Sequence, residues 1–128
     1  MKRHLSLVAV LVPDYNQGIA FFRDVLECTL IEDTDMGMGK RWVRVALPGG
    51  QTEILLARAV GPQSDLIGQQ GGGRVWLFLH TDDFDRDYDK FKSKGLNFLE
   101  TPRVEAYGKV AQFQDPFGNK WDLLQTSE

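Results

Sequence analysis

A single cysteine, Cys28, and two histidines, His4 and His80, are all that 128 residues contain of these types. One thiol forms no internal disulfide, and two histidines exclude both an H-E-x-x-H helix and a Cys/His zinc cluster. A chain so poor in cysteine suits a reducing cytosol, and Cys28, with no histidine near it in sequence, is not marked as a nucleophile. No apolar run is long enough to span a bilayer. The basic start and short apolar stretch of residues 1–12 end at Pro13-Asp14 with no small-residue cleavage site, so they read as a first strand rather than a leader. An excess of one charge is also missing: 15 Lys and Arg against 18 Asp and Glu leave a formal net charge of -3, without blocks of either sign. Nucleic acid and membranes are therefore not expected partners. Phosphate loops are absent as well, because residues 68–73 lack a following Lys-Ser/Thr and Gly37-x-Gly39 lacks its third glycine.

What is present is enough apolar (42%) and aromatic (11%) side chain to bury a core, in a length typical of one domain. Residues 5–12 are apolar and β-branched, and Pro13-Asp14 punctuates them. Asp14 is placed to cap a helix, with Gln17 three residues on. Tyr15, Ile19, Phe22 and Leu26 then lie on one stripe, which predicts a helix of about three turns. Strands are expected over 29–32, 41–47 and 52–57, the last two joined by Leu47-Pro48-Gly49-Gly50. Residues 59–73 turn to Gly, Gln, Pro and Ser, the chemistry of a flexible connector. The first pattern then returns: a strand over 75–80, a cap at Asp83, the stripe Phe84, Tyr88 and Phe91, a stop at Gly95, and strands over 96–99, 110–114 and 120–124.

One offset aligns the halves. Asp14 with Asp83, Tyr15 with Phe84, Ile19 with Tyr88 and Phe22 with Phe91 are all 69 apart, while Pro48 with Pro116, Gly50 with Gly118 and Leu55 with Leu123 are 68 apart. The chain thus reads as one domain over 1–128, built of a βαβββ repeat in 1–58, a linker in 59–73 and a second repeat in 74–128. This duplication, with Val12-Pro13-Asp14-Tyr15 leading into residues 19–26 and Asp115-Pro116-Phe117-Gly118-Asn119-Lys120-Trp121-Asp122-Leu123 near the end, resembles the vicinal oxygen chelate superfamily of glyoxalase I, bleomycin-resistance proteins and extradiol dioxygenases. The resemblance implies an α+β fold in which two paired βαβββ modules form a curved mixed sheet around a central cavity. It also implies a homodimer and a small-molecule ligand or substrate.

In that superfamily a divalent metal, typically held by the first and last strands of each half, binds two vicinal oxygens of the substrate. The resemblance puts the first-strand positions at Leu7 and Trp76, which cannot ligate. It puts the closing positions at Asp122 and, by the 68 offset, at Ile54. Glu53 would serve only after a slip of one residue, which reverses the face of a strand. Candidate metal donors reduce to Asp122, Glu53 and His80, short of three aligned ligands. The expectation is therefore a cytoplasmic protein that holds a small organic molecule without the usual complete metal site and without a cofactor. The alternative is a lyase, isomerase or dioxygenase of the same superfamily using Zn, Ni, Mn or Fe. A third reading is an accessory subunit docking another protein through its aromatic surface.

Period-two alternation sets His80 on the face of Trp76 and Phe78. His80 and Asp122 are the candidate catalytic groups or polar handles, and Leu7, Trp42, Trp76, Phe78, His80 and Tyr107 the candidate ligand-binding residues. His4, three residues before Leu7, falls on the opposite face near a chain end. Leu77, Leu79, Phe22 and Phe91 read as core, and 103–108, containing Arg103, Glu105 and Tyr107, reads as a solvated connection.

Overall fold

A computed structural model describes residues 1–127. The chain divides into two compact units, Met1–Ile67 and Gly68–Glu128, of which residue 128 is outside the described part. Each combines helix with one mixed sheet, an α+β architecture.

In the first unit the order is β1 (Leu7–Val12), α1 (Tyr15–Ile19), a π-helical segment (Ala20–Val25), β2 (Thr29–Gly37), β3 (Lys40–Ala46) and β4 (Glu53–Arg58). The sheet order is β1-β4-β3-β2, with β1 and β4 parallel and the other pairs antiparallel. Asp14 caps α1 as expected, its carboxylate accepting from Gln17 N at 2.9 Å. The predicted three-turn α-helix instead widens after its first five residues into π geometry, with Leu26 N donating to Phe21 O. Val12 and Leu56 stand under α1, where a Cβ on Gly18 would lie 3.2 and 3.1 Å from their methyl groups. The alternate residues Val10, Val43, Val45 and Ile54 share that face and are buried. β2 and β3 form a longer hairpin than expected, turning at Gly37–Gly39, with Gly37, Met38 and Gly39 all at positive φ.

The stretch 59–73 is not the loose connector that its composition suggests. It forms a 3-10 helix, Gly61–Leu66, followed by turns, and two of its glycines are required by contact. A Cβ on Gly68, at φ +74°, would collide with the backbone of Phe117 and Gly118, and one on Gly71 would sit 2.6 Å from Trp76 Cβ. Glycine here serves close packing as well as reach.

The second unit contains β5 (Val75–His80), α2 (Phe84–Ser93), β6 (Asn97–Phe98), β7 (Arg103–Glu105), β8 (Gly108–Gln114) and β9 (Lys120–Thr126). β5 runs parallel to β9, β9 antiparallel to β8, and β8 pairs with β6 and β7 along its other edge. β7 corrects the reading of 103–108 as a mere connection: its Arg103 pairs with Val110 and its Glu105 with Gly108. Asp83 caps α2, and Gly95 ends it at φ +90°. Between helix and sheet runs a chain of rings: Phe84 with Tyr88 at 5.7 Å, Tyr88 with Phe98 at 4.4 Å, Phe98 with Phe113 at 5.8 Å and Phe113 with Trp121 at 5.5 Å.

The turn between β8 and β9 is organised by one carboxylate. Asp115 is 3% exposed, and its oxygens accept from Phe117 N at 3.0 Å, Asn119 N at 2.9 Å, Asn119 Nδ2 at 3.0 Å and Trp121 Nε1 at 3.0 Å. Four donors compensate the desolvation of the charge and fix the indole on the helix side of the sheet. Asp115→Ala strands all four donors in a buried turn, so urea unfolding is expected to show a loss of about 3 kcal/mol or more. Asp115→Asn, which keeps one acceptor oxygen, is expected to lose less.

Candidate functional site

Register decides which side chains share a face. In the second unit Trp121 and Leu123 point to α2, so Asp122 between them points away. Its Cα partners are Phe78 on β5 and Gln112 on β8, making a row of aromatic ring, carboxyl and carboxamide across three strands. Phe78 is 62% exposed although it lies mid-strand. His80 is on the same face, one pair further along, with Leu124 as its partner. That places it about 7 Å along the strand from Phe78. Its Nε2 is 3.2 Å from Thr126 Oγ1. At that end of the sheet lies a cleft of about 680 Å³ whose lining includes His80, Glu105, Lys109, Gln125 and Thr126, but not Asp122. The structure therefore groups Phe78 with Asp122 and sets His80 at the rim of a neighbouring cleft.

Asp122 is half-buried, and its Oδ1 is buried with no hydrogen-bond partner among the described residues. Burial pushes its pKa above the ordinary aspartate value, and the negative charge of Glu100 adds to this while the Arg103 guanidinium opposes it. Burial would also raise Glu100, but hydrogen bonds from Arg103 Nε at 2.9 Å and Gln112 N at 2.8 Å outweigh that and hold it below the usual carboxylate range. Arg103 reaches Glu105 as well, at 2.6 Å. Carboxylates of opposite tendency thus lie in one neighbourhood, one paired and one unpaired.

Trp76 falls at the register shift between Val75 and Leu77, with the backbone of Gly71 against its Cβ, so its strand does not continue the simple alternation at that point. Tyr107 lies in the turn between β7 and β8, 52% exposed, its carbonyl accepting from Ser127 N. Phe113 is buried on the helix side with Trp121.

In the first unit the face opposite α1 carries Leu7, whose Cα partner is Glu53, and Ala9, whose partner is Leu55. Ile54 is buried under the helical segment at 7% exposure. Ile54 is thus not the counterpart of Asp122. Pairing of Val43 with Leu56 and of Ala111 with Leu123 makes Leu55 that counterpart, an offset of 67 rather than 68 (122 − 55). The cause is the turn: six residues separate Ala46 from Glu53, while five separate Gln114 from Lys120. Glu53 accordingly needs no slip to share the face of Leu7. It is ion-paired to Arg44, which also binds Glu32 at 2.9 Å, a carboxylate-guanidinium-carboxylate bridge across β2, β3 and β4. Trp42, two residues before Arg44, shares its face and is half-buried. His4 lies in the exposed segment before β1, and the Cys28 thiol is buried with its pKa pushed up to about 12, which leaves it protonated and inert.

The fit to a divalent ion fails on donor chemistry. Leu7, Leu55 and Trp76 offer no ligating atom, Glu53 is held by Arg44, and among the described residues no three His, Cys, Asp or Glu side chains come together in a group able to hold a metal. Among the described residues no helix is long and apolar enough to cross a membrane. Residues that sequence reasoning passed over are Arg44, Glu100 and Gln112. The signal for Gln112 lies in Val110-Ala111-Gln112-Phe113-Gln114, where polar side chains recur with period two.

Comparison with known proteins agrees with this architecture. An uncharacterized protein of Shewanella frigidimarina is 47% identical over 131 residues, covering 100% of this chain and 97% of its own. The crystal structure of TnmS3, an antibiotic binding protein from Streptomyces sp. CB03234, is 28% identical with a TM-score of 0.80, covering 98% of both chains. A Sphaerobacter thermophilus member of the Glyoxalase/bleomycin resistance protein/dioxygenase superfamily shares the fold at a TM-score of 0.75, with 22% identity over 97% of this chain and 98% of its own. With residues 4–123 matching the Glyoxalase/Bleomycin resistance protein/Dioxygenase superfamily, the chain belongs to that superfamily.

Proposed function

We propose that the protein is a binding protein for a small organic molecule with an aromatic ring, held against the helix-distal face of the second unit's sheet. The observation that carries this reading is Phe78, a ring left 62% exposed in mid-strand beside a carboxyl with an unpartnered buried oxygen. A large apolar side chain and an unsatisfied polar atom side by side are poor structure for a solvated sheet face and good structure for a ligand site. The similarity to an antibiotic binding protein supports the same class of activity. In this reading Phe78 supplies the stacking surface, Asp122 the polar handle, and His80 and Tyr107 outer contacts. That no three metal donors converge among the described residues favours binding over the superfamily's Lewis-acid chemistry. Cytoplasmic location and a homodimer belong to the same proposal, on the grounds of the single cysteine and the superfamily resemblance.

The test is titration with 2-naphthol, followed by amide chemical shifts. Saturable binding with shifts centred on Phe78 and Asp122 is expected, and Phe78→Ala is expected to weaken it at least about fivefold through loss of ring contact. No saturable shift at these residues would overturn the proposal. Asp122 supplies a second prediction. Its folded-state pKa is raised, so its contribution to stability is fully present below the unfolded pKa and is lost as pH rises through the folded one. Asp122→Asn is therefore expected to be more stable than the parent at neutral pH, by on the order of 1 kcal/mol at most given its partial exposure, with the gain vanishing in acid. Thermal denaturation as a function of pH measures this; a gain independent of pH contradicts it.

A further inference from the structure

We infer that Gln112 and Asp122 together form a specificity edge that selects a planar aromatic ligand presenting two adjacent N–H donors, as on the edge of an amidine or amino-substituted heterocycle. The inference rests on the proposed binding reading and adds the ligand's class and a recognition residue to it.

Gln112 and Asp122 are directly opposed across the β8/β9 ladder. Opposed residues on one face bring their Cβ atoms to about 5 Å. Yet the two side chains do not satisfy each other: Asp122 Oδ1 has no partner, and the hydrogen bonds of Gln112 among the described residues are those of its backbone, its N–H to Glu100 and its carbonyl to Leu99 N at 2.8 Å. Neighbouring polar groups on the same sheet are committed instead. Glu100 holds Arg103, Arg103 holds Glu105, and Lys109 holds Asp85 at 2.6 Å on the helix side. The uncommitted atoms are therefore carboxylate oxygens, which only accept, and one carboxamide, whose oxygen accepts and whose nitrogen donates. The buried, unpartnered atom is the acceptor Asp122 Oδ1, and with the carboxamide oxygen turned to the same edge the complement is a pair of donors. Phe78, the third member of the row, fixes the rest of the ligand as a flat ring system, because its exposed face favours stacking. A molecule bearing only acceptors would leave the buried Oδ1 unpaired, which is how a polar site rejects an apolar isostere.

Two probes separate these terms: 2-aminobenzimidazole, with a ring N–H and an amino group on one edge, and 1,2-dimethylbenzimidazole, with the same ring system and no N–H. In mildly alkaline buffer, calorimetry or amide shifts are expected to show the first binding at least about tenfold more tightly than the second. Gln112→Met, which keeps length and the backbone hydrogen bonds, is expected to shrink this preference severalfold. Equal affinities for the two probes, with 2-naphthol still bound, would overturn the inference and leave the binding reading standing. An undiminished preference in Gln112→Met would remove Gln112 from the recognition edge. Failure of 2-naphthol and both probes alike would overturn the binding reading and the inference with it.

Discussion

The register of the second sheet depends on the buried carboxylate of Asp115. By taking hydrogen bonds from two backbone amides, a carboxamide and an indole, it closes a five-residue turn and commits Trp121 to the core. Successive strand residues point in opposite directions, so committing Trp121 inward commits Asp122 outward. The position of the Asp122 carboxyl is thus set by a charge several residues away that is itself buried. Polar groups of the two kinds divide the labour: Asp115 is saturated by donors and holds geometry, whereas Asp122 keeps an unpartnered oxygen.

The first unit uses its charges differently. Glu32, Arg44 and Glu53 bridge three strands on the face opposite α1. Their side chains are roughly a quarter to a third exposed, where ion pairs contribute little net stability. What the bridge provides is orientation, since a guanidinium fork held on both sides leaves neither carboxylate free to turn toward an incoming ion. Tyr15 shows a related arrangement on the other face, with the Arg41 and Arg58 guanidinium carbons 5.2 and 5.4 Å from its ring centre.

Much of the architecture was legible in the sequence because it is written in periodicity and punctuation. The caps at Asp14 and Asp83, the Phe84-Tyr88-Phe91 stripe, the stop at Gly95 and the strand Val75–His80 all follow from local chemistry that tertiary structure leaves intact. Local rules fail where context decides. The π-helical widening after Ile19 has no side-chain signature, β7 is a short polar segment made a strand only by its partner β8, and the glycines at 68 and 71 signal flexibility until the backbone they must clear is known. At the candidate site, the outward facing of Phe78 and Asp122 was readable, whereas the repeat pointed to Ile54 as the counterpart of Asp122 and the register puts Leu55 there. Repeat alignment counts matching letters, and Pro-Gly matches in the turns pulled the strands one residue out of phase. Gln112 was overlooked because a lone carboxamide in an apolar strand has no motif.

The unequal turns, six residues before Glu53 and five before Lys120, bear on what the closing strand of each unit presents. Lengthening a hairpin loop by a single residue inverts the facing of the whole strand that follows unless the sequence beyond it is rewritten to match. An insertion of that kind exchanges the inner and outer inventories of a strand in one event, which no individual amino-acid replacement achieves. Two modules of one architecture can thereby place different groups at a corresponding point, a leucine at 55 in one and a carboxyl at 122 in the other.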